Sequence, residues 1–124
     1  MIRISRREFV RQVRRAYLQI PPSIRQSLRN VDVVVEEWPR PEELEELAGE
    51  GTLLGLYSGV PLVEREGGPE GAGLPDVIVI YRQPILRTSS SRAEAEEEIR
   101  KTLWHEIGHY LGMTEDDLHR MGYG

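Results

Sequence analysis

The chain has 124 residues, with 39% of the hydrophobic set and 30% charged, which is one globular domain rather than a disordered or fibrous chain. A net charge of −5 speaks against a nucleic-acid binder, and no apolar run reaches the ~20 residues that a membrane span needs. The absence of cysteine excludes disulfides and thiolate metal sites, so any bound metal must be held by imidazole and carboxylate groups.

Arg3, Arg6, Arg7, Arg11, Arg14 and Arg15 crowd the N-terminal segment against the single acid Glu8. Phe9, Val13 and Tyr17 recur every four residues, so the spacing predicts an amphipathic helix over 5–19 with a basic outer face, rather than a transit peptide or nucleic-acid patch. Ser5 and Glu8 form its capping box. No apolar export signal is visible, and a cytoplasmic location is expected. Pro21 and Pro22 end this helix, and Pro22 opens a short one to about 28. The valine-rich run 31–36 reads as a strand, broken by Pro39 and Pro41. An acidic helix is expected over 42–48, closing near Gly49 and Gly51.

A second strand is expected at 53–57, a turn at Ser58-Gly59, and a short edge strand at 60–64, confined to an edge by Pro61. The Gly- and Pro-rich stretch 67–75 reads as a mobile loop. Residues 77–81 are unbroken in apolar character, which predicts a strand buried on both faces. A long helix begins after Ser91, with Glu94 completing a capping box, and stops at Gly112. A last helix is expected at 115–121, capped by Thr114. Helices, then strands, then helices make a single α+β domain over residues 1–124.

The long helix ends on His105-Glu106-Ile107-Gly108-His109, an H-E-x-x-H motif. Residues four apart share a helix face, so both imidazoles can reach one ion. Glu106 is rotated by roughly 100° from the first histidine and can take a proton from a metal-bound water without binding the metal itself. Ile99, Leu103, Ile107 and Leu111 form an apolar stripe, which places the histidines, with Thr102 and Glu98 above them, on an open polar face. Gly108 costs about 1 kcal/mol relative to alanine inside a helix, so close approach of another group is expected there. Catalytic zinc takes three protein ligands, and the third must come after Gly112. Glu115 stands where an elongated H-E-x-x-H-x-x-G-x-x-H motif carries its third ligand. Asp116 competes with it, and His119 lies one turn further on. The acidic trio 115–117 also suits the first turn of a helix. Tyr110 and Tyr123 are candidates for a second oxyanion donor, although tyrosine more often packs.

The chain resembles the small bacterial zincin-like metallopeptidase family, the minimal metalloproteases. The segments that carry the resemblance are "REFVRQVRRAYLQIPPSIRQSLRNVDVVVEEWP", "LLGLYSGVPLVER", "LPDVIVIYRQPILR" and "TLWHEIGHYLGMTEDDLHRMG". The resemblance implies a minimal zincin-like domain, with a small mixed sheet packed against the H-E-x-x-H helix and helices at the N-terminus. It implies a zinc peptidase with one Zn2+, His105 and His109 as ligands, and Glu106 as base. An acidic segment at 115–117 matches the family without deciding which acid binds. The expected partner is a peptide or protein substrate, with no nucleic acid and no membrane, and the oligomeric state is left open. Two other readings stand beside this one: a non-catalytic, zinc-stabilised binding module, and a regulatory peptidase that needs a partner.

Overall fold

The computed structural model describes residues 2–45, 53–59 and 76–120. The edge strand expected at 60–64, the loop at 67–75, the end of the acidic helix and Tyr123 lie outside these residues. The elements run α1 (Arg6–Leu18), α2 (Pro22–Ser27), β1 (Val31–Glu36), α3 (Pro41–Glu45), β2 (Gly55–Ser58), β3 (Asp76–Tyr81), α4 (Arg82–Thr88), α5 (Arg92–Tyr110) and α6 (Glu115–Arg120). This is an α+β arrangement around a small mixed sheet.

The sheet order is β1-β3-β2, with β1 parallel and β2 antiparallel to β3. Burial on both faces makes β3 the central strand. Its alternate side chains serve two cores. Ile78 and Ile80, fully buried, join the main core with Phe9, Leu28, Ile85, Ile99, Leu103 and Ile107. Val79 and Tyr81 join Leu53 in a smaller cluster on the other face. An unbroken apolar run is what two buried faces demand of one strand.

α5 packs against β2 and β3, and α1 lies alongside it. Both helices start as their sequences predict: Ser5 Oγ accepts from Glu8 N–H and Ser91 Oγ from Glu94 N–H, each at 3.1 Å. The segment 82–88, which the sequence left unassigned, is helical. Pro84 sits in its first turn, where a missing N–H costs no hydrogen bond. Proline in such a position marks a helix start as readily as a break.

Glu37 ties three elements together just past β1. It accepts from Arg6 at 2.7 Å, Arg82 at 2.5 Å and Gln83 at 3.0 Å. Burial opposes its ionisation, but the hydrogen bonds from Gln83, Arg6 and Arg82 outweigh that and hold its carboxyl below the ordinary range. A depressed carboxyl stabilises the fold above its unfolded pKa, and that stabilisation is lost as pH falls through the lowered value. Thermal stability is therefore expected to drop below about pH 4. Glu37→Gln, melted at neutral and acid pH, is expected to lose part of that acid dependence. An acid profile identical to wild type would remove Glu37 from this role.

Candidate metal centre

α5 carries both histidines close to its C-terminal end, and its last turn is closed in a way that returns the chain toward them. Gly112 has φ of 87°, a left-handed conformation that favours glycine. Gly112 N–H bonds His109 O at 3.0 Å and Met113 N–H bonds Gly108 O at 2.9 Å, the paired bonds of a Schellman ending. α6 then starts at Glu115. Thr114 Oγ1 accepts from Asp117 N–H at 3.1 Å, while the Asp117 carboxylate accepts from Thr114 N–H at 3.0 Å. These hydrogen bonds, together with Arg120, hold the Asp117 carboxyl below its usual range. Asp117 therefore acts as a cap.

Gly108 fixes the position of α6. A Cβ there would lie 2.3 Å from Leu118 Cδ2 and 3.2 Å from its Cγ. Leu118 is 1% exposed, so it meets this contact from within the packed interior. The close approach expected at Gly108 is thus that of α6 itself. Gly108→Ala is expected to change thermal stability little, because a helix-propensity gain of ~1 kcal/mol opposes the clash. Zinc affinity is expected to fall about tenfold or more as α6 shifts. Titration calorimetry showing unaltered zinc affinity would break the link between this contact and the site.

The turn brings Glu115 to the histidines. His109 Nε2 lies 3.1 Å from His105 Nε2. Glu115 Oε1 lies 2.7 Å from His109 Nε2 and 3.2 Å from His105 Nε2. Among the described residues these three donors gather within 4.8 Å of one another. Tetrahedral ligands at bond lengths of 2.0–2.1 Å stand roughly 3.3 Å apart, so the triangle has the size and the N, N, O chemistry that a zinc ion takes. Asp116 and His119 are exposed on α6 and do not belong to this group.

Glu106 sits beside the triangle, 8% exposed, with Oε2 4.0 Å from His105 Nε2. Its Oε1 accepts the backbone N–H of Tyr57 at 2.8 Å. This contact from β2 was not visible in the sequence, although a glycine at the head of a strand is a signal of close packing. A Cβ on Gly55 would lie 2.5 Å from Thr102 Cγ2, 3.0 Å from Val79 O and 3.5 Å from Glu106 Cγ, so β2 can press on α5 only with glycine there. Burial pushes the Glu106 carboxyl above the ordinary range. His109, His105 and the Tyr57 N–H offset this only in part.

Two expectations are corrected. The histidine face of α5 is not open: Thr102 is 7% exposed beneath β2, and the His105 side chain is 21% exposed. Tyr110 does not face the site as an oxyanion donor. It is 2% exposed, its hydroxyl bonds Ser27 O at 2.9 Å, and its ring stands edge-on to Tyr57 at 5.7 Å.

A family model described as "zincin-like metallopeptidase" matches residues 28–124. Among solved structures, a conserved hypothetical protein from "Thermo thermophilus" is similar at 25% identity and a TM-score of 0.57. The match covers 87% of this chain and 94% of that one. No curated protein matches the sequence.

Proposed function

The chain belongs to the zincin-like metallopeptidase family, and from that membership we propose that it is a zinc-dependent peptidase. In this reading His105, His109 and Glu115 hold one zinc ion, and Glu106 is the general base. The observation that carries it is the convergence of three zinc-type donors beside a buried carboxylate that is not one of them. A zinc ion held there would acidify a water and polarise a peptide carbonyl.

The chain's own residues do the rest. The Tyr57 N–H engages Glu106 Oε1, which turns Oε2 toward the donor triangle. Oε2 accepts the proton from the attacking water and returns it to the leaving amine. The buried setting raises the carboxyl's hold on that proton between the two transfers. In this reading β2, an edge strand of the sheet among the described residues, offers an extended substrate a strand to add to.

The test is incubation of zinc-loaded protein with a peptide library read by mass spectrometry. Cleavage that a chelator abolishes and zinc restores is expected. No cleavage by zinc-replete protein, or cleavage that ignores the chelator, would contradict the reading.

A further inference from the structure

Thr102 lies on the face of α5 that carries His105 and His109, one turn before Glu106, yet it has no place in the donor triangle. It is 7% exposed, and β2 covers it. β2 meets α5 first at Gly55, which lies against the Thr102 methyl: an added Cβ would come within 2.5 Å of Cγ2. It meets α5 again at Tyr57, whose N–H donates to Glu106 Oε1 at 2.8 Å. From Gly55 to Tyr57 a strand advances about 6.8 Å, and from Thr102 to Glu106 a helix advances about 6.0 Å. Strand and helix run in step here, so the gap at the first contact sets the gap at the second.

The first contact is stiff. Threonine is β-branched, so its methyl is held close to the helix backbone and has few rotamers to turn into. Alanine has the higher helix propensity, so helix formation does not account for a threonine at this buried position. On the other side of Gly55 stands β3, with Val79 O 3.0 Å from the same Cβ position. Carbon atoms rest about 3.5–4.0 Å apart, so a Cβ at position 55 moves β2 off α5 by about 1 Å. A hydrogen bond of 2.8 Å stretched by that much passes about 3.6 Å and is lost.

We propose that Gly55 and Thr102 are positioning residues for Glu106. The Thr102 methyl is the spacer that holds β2 at the distance where Tyr57 N–H secures Oε1 and leaves Oε2 toward His105. The kinetic consequence rests on Glu106 as the base of the proposed peptidase. The placement of Glu106 does not, and it is measured without zinc or substrate. The two sides of the contact compensate for one another. Gly55→Ala alone breaks the hydrogen bond, and Thr102→Ser beside it restores the bond, since serine keeps the hydroxyl and lacks only Cγ2.

Hydrogen exchange of the zinc-free protein, followed amide by amide by NMR, is the test. Tyr57 N–H is expected to exchange about fivefold faster or more in Gly55→Ala, the loss of one hydrogen bond. Tyr81 N–H, bonded to Leu54 O at 2.9 Å on the β2 side of β3, is expected to keep its wild-type rate. A general weakening of the fold would speed both. In Gly55→Ala/Thr102→Ser the Tyr57 rate is expected to return to within about twofold of wild type. Thr102→Val, which retains a methyl, is expected to leave it unchanged. With zinc bound, Gly55→Ala is expected to lose about 10–100-fold in kcat at unaltered zinc affinity, and the double variant to recover it. An unchanged Tyr57 rate in Gly55→Ala, a Tyr81 rate that rises with it, no recovery in the double variant, or faster Tyr57 exchange in Thr102→Val overturns the proposal. Should Gly55→Ala not fold, a folded double variant with the wild-type Tyr57 rate upholds it, and a double variant that does not fold overturns it. No cleavage by the wild type would end the peptidase reading, while the exchange rates still decide what places Glu106.

Discussion

Glu106→Gln is expected to keep zinc affinity near that of wild type and to lower kcat by roughly 10²–10⁴-fold, the usual contribution of a positioned general base. Glutamine retains an oxygen to accept the Tyr57 N–H, so β2 stays on α5. What it lacks is a second oxygen able to take a proton at the donor triangle. The same change has a stability signature. Burial raises the Glu106 carboxyl, and a raised carboxyl lends stability below its unfolded pKa that is lost as pH rises through the folded value. The zinc-free wild type is therefore expected to be no more stable at neutral pH than the glutamine variant. Thermal melts of the zinc-free proteins and steady-state rates of the zinc-loaded ones separate the two effects. Equal rates from both proteins would remove Glu106 as the base.

Glu115→Ala is expected to weaken zinc binding by more than about 100-fold, beyond what loss of a supporting residue around a metal costs. Asp116→Ala is expected to leave it unchanged. The two acids are neighbours in sequence, but one residue along a helix is a rotation of about 100°. That rotation separates a carboxylate 2.7 Å from His109 Nε2 from one that lies outside the donor group. The glycine ending of α5 and Leu118 seated against Gly108 hold α6 in this position. Competition against a zinc-sensitive dye gives both affinities. Equal loss in the two variants would mean that α6 is not held as described.

Local features were legible in the sequence. The spacing of His105 and His109 and the caps at Ser5, Ser91 and Thr114 depend on residues a few positions apart, and helix geometry converts that spacing directly into structure. The central position of β3 followed from its unbroken apolar run. Features set by distant packing were not legible. Glu115, Asp116 and His119 all stood as candidates for a third ligand, and which of them lies beside the histidines depends on how α6 packs on α5. The Tyr57 N–H on Glu106 spans 49 positions, and a backbone group carries no sequence signature. Tyr110 looked like a site residue because it follows His109. Helix rotation turns it instead into the core, with its hydroxyl on Ser27. The segment 82–88 carried no assignment, because a seven-residue helix with proline in its first turn is too short to show a helical period.

The most direct test of the metal centre is a crystal structure of the zinc-loaded protein with anomalous data at the zinc edge. The expected map has one strong peak within about 2.0–2.2 Å of His105 Nε2, His109 Nε2 and a Glu115 oxygen, with the fourth position open to water. A peak held by four protein ligands would point to a structural zinc in a binding module. No peak between the two histidines would contradict the account.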